Sequence, residues 1–264
     1  MRLKSNAVWY DLPGVEATYM PIGAPSAVDA LMNVGHTDAL GNHRMAGRYT
    51  ATSAQFPTWS AATGWSFLAA SSQYILPGWP LTEKTTMIIR CSSWTYVGSS
   101  HLASGISDGY VESGIFIATT VRFHMNNATF NTGGYTSPDV FALNSSGVYK
   151  NGVLIGALST TPSAFSTTIA IGGRRASGGT VERFSTATIP SFVLYSRTLS
   201  PAEMWLASRQ MAYCEQNPDW NAWARRRRYY YAPSQAAAGR VGIYGRRGAV
   251  ALPGGVRIGT VNDA

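Results

Sequence analysis

The chain has 264 residues, of which 45% are hydrophobic and 13% charged, and it contains 27 glycines and two cysteines. This length allows a substantial core without disulfide staples, and two cysteines are too few for a disulfide scaffold. No apolar stretch approaches membrane-spanning length, so we expect no membrane insertion. The N-terminus lacks the apolar segment of a secretory signal peptide. Abundant Gly, Ser, Thr and aromatic residues favour one β domain of short strands joined by turns.

The two cysteines fall in predicted elements of regular structure. Cys91 lies in an apparent strand over residues 86–94, and Cys214 lies near the end of a predicted helix. We predict two free, mostly buried thiols, and the sequence leaves a bridge between them open.

A hairpin is predicted over residues 148–156, where two short apolar segments flank Asn151 and Gly152. The Asn-Gly dipeptide suits a type I′ turn, because that turn needs positive φ at both central positions. Two further strands are predicted over residues 169–173 and 192–195, and the second has the continuous apolar pattern of a buried strand.

A capped helix is predicted to begin at Ser200 or Pro201 and to end before Pro218. Ser200 and Glu203 have the spacing of a capping box, in which each side chain accepts a backbone hydrogen bond from the other residue. Proline suits the first helical position. Leu199 and Met204 occupy the two positions of a hydrophobic staple.

This order of elements resembles the laminin-G-like, or concanavalin-like, jelly roll. In that family a Y-x-N-G hairpin precedes an I-G strand, a V-x-x-Y-x-R-x-L-S-x-x-E segment and a helix. The matching residues here are Tyr149, Asn151, Gly152, Ile171, Gly172, Val193, Tyr195, Arg197, Leu199, Ser200 and Glu203. Residues 65–67 and 72–75 resemble the opening of the family. The resemblance implies a mostly β, two-sheet antiparallel sandwich with one C-terminal helix over residues 1–216, with its clearest matches from residue 64 to 210.

Charge separates the C-terminal segment from the rest of the chain. Residues 1–219 hold 13 basic and 12 acidic side chains, whereas residues 220–264 hold eight arginines and one aspartate. Four consecutive arginines often form a solvated tail. Here two tryptophans precede them and three tyrosines follow, and such aromatic residues favour an ordered contact. We therefore predict that residues 217–264 are an assembly arm.

Residues 217–231 also resemble the N-P-W-x-x-x-x-P-R-R-R ending of small structural proteins of tailed bacteriophages. The departures are Asp219, inserted before the tryptophan, and Ala224, which stands where a proline is common. The resemblance implies a virion protein, which contacts other virion proteins. From the arm we also predict a homo-oligomer, trimeric or higher. The predicted interface residues are Trp220, Trp223, Arg225, Arg226, Arg227, Arg228, Tyr229, Tyr230 and Tyr231.

The end of the chain contains three short strand-like segments, at residues 241–245, 248–252 and 256–259. They are too short to form a domain. They are interpreted either as strands that join the sheet edge of a partner or as a glycine-rich tail with partial order, and both interpretations stay open.

The sequence contains no recognisable catalytic motif, so we predict a protein that is not an enzyme. Glycosidases need two carboxylates close together, but the glutamates are isolated in sequence, and Glu203 is already assigned to the capping box. The four histidines have no H-x-x-x-H spacing, which makes a zinc site improbable. No G-x-S-x-G elbow, P-loop or G-x-G-x-x-G motif occurs.

Carbohydrate binding is the alternative role that suits this fold. Trp94 and Tyr96 in an apparent loop, with His101 nearby, are the best candidates for a glycan-binding site. The competing interpretation is that both aromatic rings pack at the rim of the sandwich. Asp108 suggests a calcium ligand only weakly, since a lone aspartate in a turn usually serves the turn itself; no other cofactor is expected.

The basic tail raises nucleic acid as a third class of partner, but no recognised binding module accompanies it. Protein contact explains the flanking aromatic residues better. We therefore expect a non-enzymatic phage virion protein whose jelly roll is displayed on a tail appendage or fibre. Its candidate ligand is a host surface polysaccharide, and a purely structural role stays open. The alternatives are a head decoration protein that cements the capsid and, below it, a free carbohydrate-binding lectin module. The expected location is the virion, assembled in the bacterial cytoplasm.

Overall fold

A computed structural model gives the structure of the chain. It describes residues 9, 12–33, 36–37, 43–44, 51–98, 100–106, 112–117, 120–125, 128–132, 138–158, 166–216, 249–251 and 257–260. The predicted arm residues from 217 to 231, Asp108, and the strand-like segment at 241–245 lie outside this set. Among the described residues, no helix is long and apolar enough to cross a membrane.

Short strands dominate the structure. In chain order they are β1 (Val15–Tyr19), β2 (His36–Thr37), β3 (His43–Arg44), β4 (Thr58–Ser60), β5 (Gly64–Phe67), β6 (Pro80–Thr82), β7 (Thr86–Cys91), β8 (Ser93–Thr95), β9 (Ser100–Ile106), β10 (Glu112–Ile117), β11 (Val121–Met125) and β12 (Ala128–Asn131). They continue with β13 (Asp139–Asn144), β14 (Gly147–Lys150), β15 (Val153–Gly156), β16 (Ser166–Thr168), β17 (Ala170–Ile171), β18 (Arg174–Arg175), β19 (Val181–Glu182), β20 (Thr186–Ile189), β21 (Ser191–Tyr195), β22 (Ala249–Ala251) and β23 (Arg257–Thr260). The helices are α1 (Ala27–Ala30) and α2 (Pro201–Gln216).

Two large sheets form a β-sandwich, which confirms the predicted fold class. Sheet I is antiparallel in the order β1-β21-β7-β13-β14-β15. Sheet II has the order β12-β11-β10-β9-β18-β19, with β17 also paired to β9. Its pairs are antiparallel except for β9 with β18. A smaller sheet III has the order β4-β5-β20-β8.

The main core lies between sheets I and II. Phe123 of β11 and Phe141 of β13 meet across it, with ring centroids 6.0 Å apart. Tyr19 and Trp65 extend the core toward sheet III at a centroid distance of 5.9 Å. Burying each such aromatic side chain contributes on the order of 2 kcal/mol. Strands β7, β13 and β21 are buried along their whole length, so both faces of sheet I are covered.

Helix α2 covers the second face of sheet I, where it contacts β7, β13 and β15. Its buried positions recur every three or four residues, and they are Glu203, Met204, Ala207, Ser208, Met211 and Cys214. The almost fully buried Arg90 of β7 donates from Nε to Glu215 Oε2 at 2.5 Å. This ion pair joins the last turn of the helix to the centre of the sheet.

The predicted capping box is confirmed at the start of α2. The Ser200 N–H donates to Glu203 Oε2 at 2.9 Å, and the Glu203 N–H donates to Ser200 Oγ at 3.4 Å. Arg197 adds a bidentate contact, donating to the two carboxylate oxygens at 3.0 and 2.6 Å. Arg197 first, and then the Ser200 groups, hold the pKa of Glu203 at about 2. Leu199 and Met204, the two staple positions, are both buried.

The predicted hairpin is also confirmed. Asn151 and Gly152 connect β14 to β15 with φ values of 52° and 80°, as a type I′ turn requires. Gly152 is needed for a second reason: a Cβ there would lie 2.6 Å from the Trp205 Cα. The turn can therefore pack directly on α2 only with glycine at this position.

Two elements near the N-terminus were not predicted. Strand β1 pairs with β21 at the edge of sheet I, and Tyr195 donates from its hydroxyl to the Trp9 carbonyl. Helix α1 is a single turn, capped by Ser26, whose hydroxyl accepts the Asp29 N–H at 3.1 Å. These contacts attach the start of the described chain to the sandwich.

The two cysteines are free and buried, as the sequence predicted. Burial raises the pKa of Cys91 to about 12.

Near the C-terminus, β22 pairs with β23 in antiparallel fashion. Two of the three strand-like segments thus pair with each other, and neither is paired with a large sheet in the described residues.

Candidate functional site

The face of sheet II that points away from the core carries a continuous set of polar and charged side chains. On β11, Val121, Phe123 and Met125 are buried in the core, while Arg122 and His124 alternate with them and point outward. Strand alternation places the outward side chains of neighbouring strands side by side. We call this surface the outer face.

Strand register arranges the outer face in two rows that run across the strands. The first row passes from β12 to β9 and contains Asn131, Arg122, Phe116 and His101. The second row continues to β19 and contains Thr129, His124, Gly114, Ser104, Arg174 and Glu182. Glu112 lies on the same face, two residues before Gly114 on β10. Six strands therefore contribute to one surface.

The centre of the outer face is an aromatic and imidazole cluster. Phe116 lies between His101 and His124, with ring centroids 4.4 and 4.1 Å away and both contacts edge-on. Edge-to-face contacts of this kind stabilise the ring positions beyond the area that they bury. The cluster fixes both imidazoles in place. His124 is held further by the Thr129 hydroxyl, 3.2 Å from its Nε2.

The Glu112 carboxylate lies close to one arginine and two histidines of the outer face. Arg174 Nη1 donates to Glu112 Oε1 at 3.4 Å, and the Nδ1 atoms of His101 and His124 lie 3.7 and 3.8 Å from the two carboxylate oxygens. Arg174 also binds Glu182, with its Nε 3.1 Å from Oε1. One guanidinium thus bridges two carboxylates on the outer face.

Both histidines are neutral at neutral pH. Burial first, and then the charges of Arg174 and Arg183, lower the pKa of His101 to about 2. Burial and the charge of Arg122 lower the pKa of His124 to about 4. Glu112 lies too far from either ring for a hydrogen bond, so desolvation prevails over its attraction. Neutral imidazoles can both donate and accept hydrogen bonds.

The arrangement does not form a catalytic triad or a glycosidase pair. His101 Nδ1 is hydrogen-bonded to Ser104 Oγ at 2.7 Å, and the same nitrogen faces Glu112, whereas a triad uses opposite ring nitrogens. Ser104 is fully buried. Glu112 and Glu182 bind the same guanidinium, and so they do not flank an open site as a glycosidase pair would. No group of three or more His, Cys, Asp and Glu side chains in the described residues could hold a metal ion.

The outer face is exposed along the β11–β12 edge and buried at β9, in the middle of the sheet. Arg122, Thr129 and Asn131 are exposed on β11 and the edge strand β12, and His124 is partly exposed. His101 and Ser104 on β9 are buried. A ligand therefore reaches the outer face from the β11–β12 edge, where an arginine, an imidazole, a hydroxyl and an amide lie together.

The structure places the three predicted glycan-binding residues in different environments. Trp94 belongs to sheet III and packs edge-on against Phe141 of the core, with centroids 5.8 Å apart. Tyr96, just after β8, is 51% exposed. His101 belongs to the outer face of sheet II. Of the three predicted residues, His101 alone belongs to the outer face, and the two aromatic rings lie elsewhere.

Four residues of the outer face were not predicted as site residues: Arg122, His124, Glu112 and Arg174. A local signal was present for two of them, because residues 121–125 alternate apolar and polar side chains as a half-buried strand does. Glu112 and Arg174 are 62 positions apart and meet only through the pairing of β10, β9 and β18. No sequence spacing predicts that contact.

No protein family and no curated protein matches this sequence. Among solved structures, a Trypanosoma rangeli sialidase in complex with sialic acid matches over 75% of this chain and 33% of its own, with 14% identity and a TM-score of 0.50. The carbohydrate-binding module (CBM40) of a Ruminococcus gnavus IT-sialidase matches over 47% of this chain and 82% of its own, with 18% identity and a TM-score of 0.37. The chain thus spans one third of the sialidase. At this identity the first match shows a shared β-sandwich fold.

Proposed function

We propose that this protein is a non-enzymatic structural protein of a tailed-bacteriophage virion whose sandwich binds a glycan on the outer face. The observation that carries the glycan-binding part is the fixed polar surface at the β11–β12 edge. Sugar hydroxyls need donors and acceptors at defined positions, and Arg122, His124, Thr129 and Asn131 supply both. The virion part rests on the Asn-Pro, Trp and Arg pattern of residues 217–231.

The chemistry of the outer face favours binding over cleavage. In most glycosidases one carboxyl group donates a proton and a second acts as nucleophile or base. Both carboxylates here are held by Arg174, and the adjacent histidine is hydrogen-bonded to a buried serine. These groups serve to position one another, which suits a preformed binding surface.

We predict that the full chain binds at least one host surface polysaccharide on a glycan panel, and that the double substitution Thr129→Ala with Asn131→Ala reduces this binding. Each lost hydrogen bond should cost about 1 kcal/mol, and the pair therefore roughly thirtyfold in affinity. Tyr96→Ala is the matched control, because it removes an exposed side chain elsewhere. Loss of binding only in Tyr96→Ala would instead favour the aromatic site near Trp94. Absence of binding to every host polysaccharide would favour a purely structural role. Release of reducing ends from any polysaccharide would show that the protein is an enzyme and contradict the proposal.

The arm gives a second prediction about the proposed role. Exposed ion pairs contribute little, typically under about 1 kcal/mol each, so the flanking aromatic residues should supply most of the docking energy. In a phage that encodes a chain ending at Gln216, we expect the shortened protein to remain soluble but to be missing from purified particles. Replacing the four arginines at 225–228 by lysine should weaken incorporation at unchanged charge, because the planar fork of arginine is lost.

Normal occupancy of the shortened protein in the particle would contradict the assembly role. Imaging of intact particles would also separate the tail appendage from the head decoration alternative. A protein that binds glycan but joins no particle in either form would instead favour the free lectin module.

A further inference from the structure

The charged groups of the outer face are unequally paired. Its two carboxylates, Glu112 and Glu182, are both bound by Arg174. Arg122 makes no ion pair with any residue in the part of the chain that the structure describes, and it is exposed on β11. The two histidines are neutral at neutral pH and add no charge. The β11–β12 edge of the outer face is therefore positive, whereas its two carboxylates lie on β10 and on the opposite edge strand β19.

The neighbours of Arg122 suit recognition of an anion. Strand register places Asn131 directly beside Arg122 on one side and Phe116 on the other. The next row of the face adds His124 and Thr129. A guanidinium binds a carboxylate through two parallel hydrogen bonds. Sulfate and phosphate esters also present two oxygens that can accept such a pair of bonds. The amide, hydroxyl and imidazole groups remain available for the sugar ring around the charge.

A second positive group lies beside the opposite edge strand, β19. Arg183 follows β19 and is exposed, and its carbonyl accepts the His101 N–H at 3.0 Å. Its charge acts on the His101 ring, as that of Arg174 does. A positively charged surface steers anionic ligands toward itself and increases their rate of association. The charge balance of the described outer face thus favours an acid over a neutral sugar.

We infer that the outer face binds a glycan carrying anionic groups, with Arg122 as the residue that pairs with the anion. This inference rests on the proposed glycan binding and specifies the class of its ligand. An uncharged ligand could accept hydrogen bonds from Arg122 but would not pair with its charge. An acidic polysaccharide pairs with that charge and uses Asn131 and Thr129 for the adjacent hydroxyls.

The test uses the full chain and each polysaccharide that it binds on the panel. Every acidic polysaccharide is compared with its own carboxyl-reduced or desulfated form, which keeps the same sugar backbone. We expect removal of the acid groups to weaken binding about tenfold or more, as for loss of a charged hydrogen bond. Arg122→Gln should cause a similar loss on the acidic form and a clearly smaller loss on the neutral form, where only a hydrogen bond to a hydroxyl is affected. Arg122→Lys should show intermediate affinity, because it keeps the charge but not the fork.

Arg175→Gln is the matched control. It removes the same charge from the strand that carries Arg174, at the adjacent position, which points to the opposite side of a strand. Every variant keeps the eight arginines of residues 220–264, so any nonspecific attraction of polyanions by that segment is the same in all of them. Circular dichroism on each variant confirms that it is folded.

The outcomes separate this inference from the proposed function. Equal binding of acidic and neutralised forms, or an Arg175→Gln loss as large as that of Arg122→Gln, would overturn the inference while glycan binding stands. Failure to bind any polysaccharide would overturn the glycan-binding proposal itself, and the inference with it. The supporting result is a loss that occurs in the Arg122 variants but not in Arg175→Gln, and that is larger on acidic than on neutralised ligands.

Discussion

Mild acid is expected to destabilise this protein well before its carboxylates titrate. His101 and His124 have folded-state pKa values of about 2 and 4, below the ordinary value of 6.5. The unfolded chain therefore takes up protons as the pH falls through 6.5, and the folded chain does not. The free energy of unfolding is therefore unaffected by the two histidines above pH 6.5 and decreases as the pH is lowered further. The contribution of His124 stops changing near pH 4, where the folded protein also takes up its proton. Each histidine contributes at most about 1.4 kcal/mol per pH unit.

Urea unfolding at several pH values between 7 and 4.5 measures this effect. The two histidines together set an upper limit of about 2.7 kcal/mol per pH unit near pH 5. Glu203 contributes little to the change over this pH range. Its folded-state pKa is about 2, so its stabilising contribution is lost mainly as the pH falls below 4.5, the ordinary pKa of a glutamate. Replacing both histidines by glutamine should flatten the dependence. An equally steep loss in that double variant would show that other groups cause it.

Replacing Gly114 by alanine is expected to destabilise the sandwich by about 3 kcal/mol or more. A Cβ at this position would lie 2.0 Å from the Ser104 Cβ and 2.5 Å from the Ala103 carbonyl oxygen. Both atoms belong to β9, the strand paired with β10, so relief requires the two central strands of sheet II to separate. Gly114 also has a φ of 157°, at the limit of what other residues adopt.

Gly178→Ala is the control for that substitution, because a Cβ there meets no atom within 4 Å. We expect its stability to stay within about 0.5 kcal/mol of the unsubstituted protein. Denaturant midpoints of the two variants, measured side by side, give the comparison. If Gly114→Ala were as stable as Gly178→Ala, β9 and β10 would not pack as closely as described.

The position of Gly114 links this prediction to the outer face. Register places it between Ser104 and His124, so it is the one position in its row without a side chain. A substitution there would disturb the contacts of both neighbours. We therefore expect any glycan binding by the outer face to fall together with stability in Gly114→Ala, whereas Gly178→Ala should leave it unchanged.

The elements that the sequence predicted are those governed by neighbouring residues. The Asn151–Gly152 turn depends on the φ angles of two adjacent residues, and the Ser200–Glu203 capping box joins groups three positions apart. The apolar run of β21 indicated a buried strand without reference to its partners. Because such interactions form within one segment, their residue types can be read along the chain.

The residues of the candidate site are brought together only by the tertiary structure. Glu112 and Arg174 meet because β9 lies between their strands, and His101 joins them through the register of β9 with β10. A shift of one residue in that register would turn every one of these side chains to the other face. Sequence proximity pointed instead to Trp94 and Tyr96, and Trp94 packs against the core. By itself, the sequence determined the local turns, the cap and the β class, since those depend on short-range geometry; long-range strand pairing decided which polar groups share a surface.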